Sequence, residues 1–233
     1  MKTICTLLLI SVFYTNLNGQ SMIVQLKNGK KVEFPVKDID KITYSSSLEM
    51  TSLTDPRDGQ NYKIVKIGNQ TWMAENLNYN IANSWCYDNN SVNCEKFGRL
   101  YNWEVANSVC PSGWHLPSDN EFKILEMYLG MTRNQVDATN WRGTNQSAQL
   151  KSTSGWTRNG NGTNISGFNA LPAGCYNYTG TFDVIGGSCY LWSSTDYGSS
   201  NAWGRELDYN QSGIYRGNIF RKIIGLSVRC VED

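Results

Sequence analysis

Apolar and polar residues alternate through residues 22–36, with Met22, Val24 and Leu26 leading out and Val32, Phe34 and Val36 returning around Asn28-Gly29. A period of two about an Asn-Gly pair predicts a β-hairpin. Ile39 and Ile42 follow, and Thr43-Tyr44 closes this short unit, residues 21–44. A lone hairpin of about twenty residues cannot bury a core of its own. It is therefore a prelude that docks on the main domain or on a partner. Residues 45–54, SSSLEMTSLT, show no clear period and read as a linker.

The main domain is expected to run from residue 55 to residue 233. Asp55-Pro56 and Asp58-Gly59 are turn signals; Tyr62, Ile64 and Ile67 mark a strand, Gly68-Asn69 a turn, and Thr71-Trp72-Met73 the return. Two helices are predicted. The first spans about Gly98 to Asn107, with Leu100, Trp103, Val105 and Ala106 available for packing. The second has clearer punctuation: Ser118 caps, Glu121 completes a capping box, Phe122, Leu125 and Leu129 recur at helical spacing, and Gly130 stops the helix. After Trp141, glycine and asparagine break the chain repeatedly, so regular structure should be short there. Strands are expected around Tyr190–Ser194, Ala202–Leu207 and Leu226–Cys230.

The chain's first twenty residues stand apart from this pattern. Lys2 precedes an apolar run from Ile4 to Phe13, followed by polar residues and Gly19. Such a run is too short to span a bilayer and reads as a secretory signal, residues 1–20. No cysteine follows the small residues, so the expected product is secreted or periplasmic, free or associated with the cell surface, rather than lipid-anchored. No later segment is apolar enough to cross a membrane as a helix.

Loss of the signal would remove Cys5 and leave Cys86, Cys94, Cys110, Cys175, Cys189 and Cys230. An even count in an exported chain suggests disulfides. Cys86 and Cys94 enclose a short polar loop, Cys175 and Cys189 bracket another, and Cys110 is left with Cys230. Buried thiols or a metal site are the alternatives, but there is no C-x-x-C pair and His115 is the only histidine. The net charge of +1 comes without a basic run, which leaves no electrostatic footprint for nucleic acid.

Candidate chemistry is sparse. His115 lies between Trp114 and Leu116 and reads as a structural, hydrogen-bonded residue. Glu206 and Asp208, two apart on an expected strand, share a face and could serve glycoside hydrolysis, although acids on a solvated strand are common. Asp208, Asn210 and Ser212 before Gly213 begin like a calcium loop but lack its closing glutamate, so calcium is the one ion considered and no cofactor is required. Asp88-Asn89-Asn90 is a second oxygen-rich patch that ordinary turns also explain. Residues 190–220 carry seven aromatics among Ser, Asn, Gly, Asp and Arg: Tyr190, Trp192, Tyr197, Trp203, Tyr209, Tyr215 and Phe220. That is the composition of an adaptable recognition surface. The candidate ligand residues are Tyr197, Asn201, Tyr209, Asn210, Tyr215 and Arg216. The expected partner is a glycan or a surface protein, and the chain is read as a non-enzymatic binding or adhesion module. A carbohydrate-active hydrolase and a purely structural surface protein are the alternatives.

NCEKFGRLYNWEVAN, CPSGWHLPSDNEF and the terminal GLSVRC, together with the opening hairpin DGQNYKIVKIGNQTWMAENL, resemble the Fibrobacter succinogenes major paralogous domain over about residues 55–233. The resemblance implies an α+β fold related to C-type lectins and formylglycine-generating enzymes, stapled by disulfides, with short antiparallel strands and long loops. It implies no particular activity. A Cys110–Cys230 bridge matches the one that joins the helical region of C-type lectin folds to their last strand. Formylglycine-generating chemistry would need a C-terminal pair of copper-binding cysteines, and no matching motif surrounds Cys175, Cys189 or Cys230. The sugar-binding signatures of calcium-dependent lectins are also missing. Relatives serve as targets of diversity-generating retroelements, and residues 197–218 would suit such variation.

Overall fold

The computed structural model describes residues 21–25, 31–35 and 50–233. The expected signal segment, the Asn28-Gly29 turn and residues 36–49 lie outside the described residues. The chain divides into two compact units, residues Met1–Leu48 and Glu49–Asp233. In the first, β1 (Ser21–Gln25) pairs antiparallel with β2 (Lys31–Pro35), Ser21 opposite Pro35.

The second unit runs in chain order through β3 (Met50–Thr54), β4 (Asn61–Ile67), β5 (Gln70–Met73), β6 (Ser84–Trp85), α1 (Ser91–Phe97), β7 (Leu100–Tyr101), α2 (Trp103–Ala106), β8 (Trp114–His115) and α3 (Asp119–Tyr128). It continues through α4 (Arg133–Asp137), β9 (Asn140–Arg142), α5 (Gln146–Leu150), β10 (Cys175–Tyr176), β11 (Phe182–Asp183), β12 (Ser188–Tyr197), β13 (Asn201–Asp208), β14 (Ile214–Arg221), β15 (Leu226–Ser227) and β16 (Val231–Glu232). The class is α+β, mostly strand. One sheet has the order β3-β4-β5-β16-β8, a second β6-β7-β15-β12-β13-β14-β9, and β10 and β11 form a small two-stranded sheet.

Three expectations change. Residues 50–54, read as part of a linker, form the strand β3, because their backbone pairs with β4 in full register from Met50–Val65 to Thr54–Asn61. The described residues hold five short α-helices rather than two. The single helix expected at 98–107 is broken: Gly98 turns the chain at φ +74, Leu100 and Tyr101 become strand, and only Trp103–Ala106 is helical, capped by the Asn102 side chain. A Cβ at Gly98 would lie 2.6 Å from that of Asn76, so only glycine allows this close turn. The second helix forms as its punctuation predicts, Ser118 and Glu121 making a reciprocal capping box.

The GLSVRC segment closes the core. Leu226, Val228 and Cys230 are fully buried, and so are Ser227 and Arg229 between them. A strand buried on both faces must satisfy its polar side chains internally. The Arg229 guanidinium does so by donating to Asn76 Oδ1 at 2.6 Å, to the carbonyls of Met73 and Asn169 at 3.1 and 2.7 Å, and to that of Phe168. Cys110 is bonded to Cys230 and Cys86 to Cys94. The expected Cys175–Cys189 bridge is absent, and both are thiols. The reason is register: Gly174, not Cys175, lies opposite Cys189 in a parallel bridge. Side chains alternate along a strand, so a one-residue offset sends the two sulfurs to opposite faces. Burial pushes their pKa values up to about 11 for Cys175 and about 12 for Cys189, the environment of inert thiols.

Candidate functional site

The two faces of β12, β13, β14 and β9 have different fates. One face packs on α3 and carries a buried ionic cluster. Arg205 donates through Nε to Glu126 Oε1 at 2.7 Å and through Nη1 to Asp119 Oδ1 at 2.8 Å. Arg216 donates to both Asp119 oxygens at 2.9 and 2.7 Å, and Arg142 Nη2 donates to Glu126 Oε2 at 2.5 Å. Burial raises the Asp119 carboxyl, but Arg216 and Arg205 outweigh it and hold the pKa at about 2. The cluster joins helix to sheet and every charge in it is paired. Arg216, expected to face a ligand, is 6% exposed and belongs to it. Its neighbour Tyr215 points the other way, as strand alternation requires.

The opposite face is the candidate site. Tyr190 pairs with Glu206, Glu206 with Tyr215, and Tyr215 with Trp141. These four side chains form one row across four adjacent strands, about 14 Å long from strand spacing. Trp141, at the sheet edge, is 38% exposed, and Tyr190, Glu206 and Tyr215 are half-buried. Phe220 forms the floor: its ring centroid lies 6.1 Å from Tyr190 and 6.2 Å from Tyr215, and Trp141 meets Tyr215 edge-on at 5.5 Å. Two glycines make this possible. Gly204 and Gly217 sit opposite each other. A Cβ at Gly204 would lie 2.8 Å from the Phe220 ring, and one at Gly217 would overlap the Tyr215 ring. Both rings lie down over backbone that carries no side chain.

Glu206 is the only acid in the row itself. Burial raises its pKa, Tyr190 and Ser188 pull it down, and Asp208 raises it further. Burial and the Glu206 charge also push the Tyr190 phenol up. Asp208, on the same face, is engaged elsewhere: its Oδ2 accepts from Ser188 Oγ at 2.8 Å and its Oδ1 from the Asn210 backbone N–H at 3.0 Å. The segment that resembled half a calcium loop is thus the turn after β13. Among the described residues no three His, Cys, Asp or Glu side chains converge as metal ligands.

The other residues expected at the site do not converge. Tyr197 and Asn201 pair at one end of the β12–β13 hairpin, with Tyr197 edge-on to Trp203 at 5.9 Å. Tyr209 and Asn210 lie at the opposite end of β13, where the Tyr209 hydroxyl accepts from Arg158 at 3.1 Å. Of the six, only Tyr215 joins the row. Trp141 escaped the sequence reading because it is about fifty residues upstream of the aromatic run. The period-two spacing of Glu206 and Asp208 was the signal for the face on which Glu206 lies.

His115 is held between two carboxylates, Nδ1 at 2.7 Å from Asp233 Oδ1 and Nε2 at 2.8 Å from Glu121 Oε1. Burial lowers its pKa, but Asp233 and Glu121 outweigh this and raise it overall. This ties β8 to α3 and to Asp233.

The family model of the Fibrobacter succinogenes major domain matches residues 65–232. No curated protein and no solved structure matches the chain.

Proposed function

We propose that this chain, which belongs to the Fibrobacter succinogenes major domain family, is an exported, non-enzymatic binding or adhesion module that takes a glycan or a protein surface on the outer face of β12, β13, β14 and β9. The observation that carries the reading is the cross-strand row Tyr190–Glu206–Tyr215–Trp141. Large aromatic side chains on a rigid sheet give contact area at little entropic cost, and exposed aromatic rows beside a polar group are the usual make-up of a recognition surface. Export is supported by the two disulfides, which persist in oxidising compartments. A C-type-lectin-like scaffold is supported by the Cys110–Cys230 bridge between the helical region and the last strand.

A screen of the mature chain against glycans and surface proteins, run with calcium and with chelator, tests this. Binding should be lost in Tyr215→Ala and Trp141→Ala and kept in Tyr197→Ala and Tyr209→Ala. A hit indifferent to the first pair, or no hit at all, overturns the assignment of this face.

A hydrolase is the second reading, favoured by the raised pKa of Glu206 two residues from Asp208, since a general acid needs such a shift. Against it, both Asp208 oxygens are engaged by Ser188 and Asn210. Incubation with any bound glycan should release no new reducing ends. Release that disappears in Glu206→Gln would establish the enzyme instead.

A further inference from the structure

Among the described residues, the bases avoid the aromatic row. Among the described residues, arginines and lysines lie over Tyr79, Phe97, Trp156, Tyr209, Phe122, Trp203, Tyr178, Trp103 and Phe168, and over none of Trp141, Tyr190, Tyr215 or Phe220. The ion pairs among the described residues engage Asp55, Glu75, Asp119, Glu121, Glu126, Asp137, Asp196 and Asp233, but not Glu206. No cation figures among the groups that shift Glu206. A half-buried carboxylate therefore sits between two tyrosines on the neighbouring strands, held by the Tyr190 and Ser188 hydroxyls but paired with no cation among the described residues. Burying an unpaired charge is unfavourable, and a desolvated aromatic cluster attracts cations.

We infer that the row Tyr190–Glu206–Tyr215, floored by Phe220, is a subsite for an alkylammonium group, the lysine side chain of a protein partner. The inference rests on the binding reading above and names the chemistry of its ligand. Glu206 lies between Tyr190 and Tyr215, which flank it on the neighbouring strands. The two tyrosines stand one strand spacing to either side of the acid, about 10 Å apart at their backbones. A cation on a slender methylene stalk reaches the carboxylate between them while its stem lies along the rings. A charge fixed directly to a sugar ring lacks that stalk. Trp141, at the open edge, is placed to cover the residue that carries the lysine.

The test uses the mature full chain and Nα-acetyl-lysine methylamide, with its Nε-acetylated form as the uncharged control. Binding is followed through the indole N–H resonance of Trp141. The lysine amide should give a saturable shift that weakens as salt is added, and the Nε-acetylated form should bind about tenfold more weakly, the equivalent of 1.4 kcal/mol. Glu206→Gln and Tyr215→Ala should each lose a similar factor, with unchanged circular dichroism confirming their fold. Equal binding of both amides, no saturable shift with the lysine amide, or undiminished binding by Glu206→Gln overturns the inference. Glucosamine and neutral sugar oligomers form separate arms. If neutral sugars bind this face and the lysine amide does not, the module still binds there and only the cationic ligand is refuted. If glucosamine binds and the lysine amide does not, the stalk argument is wrong. If nothing binds, both readings fall.

Discussion

At the scale of single residues, the site is defined as much by two glycines as by its rings. The Gly204–Gly217 pair leaves bare backbone on which Phe220 and Tyr215 rest. Gly217→Ala should displace the Tyr215 ring, at a stability cost of about 1–3 kcal/mol for overpacking, and weaken any ligand of this face while leaving ligands elsewhere untouched. Urea unfolding together with the Tyr215 ring resonances checks both parts; an unmoved ring would show that the glycine is incidental. The sequence disclosed the aromatic richness of 190–220 but not its sidedness. Tyr215 and Arg216 were grouped as one surface, although neighbours on a strand must face opposite ways. Applied strictly, alternation separates them. What alternation cannot supply is the cross-strand partner, since Trp141 enters through a ladder of three residues whose register only the folded sheet sets. The same one-residue issue misled the pairing of Cys175 with Cys189, whose loop length suited a bridge but whose register forbids it.

At the scale of elements, α3 shows what local signals can specify. Its capping box, apolar spacing and terminal glycine were all legible, and all formed. Its partners were not legible, because Asp119 and Glu126 meet arginines 16 to 97 residues away. This interface predicts an acid-sensitive docking of α3. Asp119 has a folded pKa of about 2 against an ordinary 3.8. A depressed carboxyl contributes stability above its unfolded value and loses it as pH falls through the folded one. About 2 kcal/mol should therefore disappear between about pH 4 and pH 2. Asp119→Asn should remove much of that slope, measured by unfolding across this range, and a slope equal to wild type would place the acid sensitivity elsewhere. The sheet strands around it tolerate three buried guanidiniums because Glu126 and Asp119 each serve two of them.

At the scale of the whole molecule, β16 is the strand on which the main unit depends. It pairs with β5 on one side and β8 on the other, and just before it Met73 N–H donates to the Cys230 carbonyl and Leu77 N–H to that of Val228. The covalent link beside this short ladder reinforces it. Cys230 immediately precedes β16 and is bonded to Cys110, 120 residues earlier. In the chain-entropy account, closing a loop of that size in the unfolded chain is worth about 5 kcal/mol, against about 2–3 kcal/mol for the eight-residue Cys86–Cys94 loop. Arg229, next to Cys230, depends on the same closure, since its acceptors lie on segments near Met73, Asn76 and Phe168. Cys110→Ala should therefore lower the melting temperature sharply, and added reductant should lower it a little further through Cys86–Cys94. Cys175→Ala should change the response to reductant not at all, because that thiol has no partner sulfur. A melting temperature unmoved by Cys110→Ala would mean that the buried Arg229 contacts alone close the domain, and that the long bridge follows folding without stabilising it.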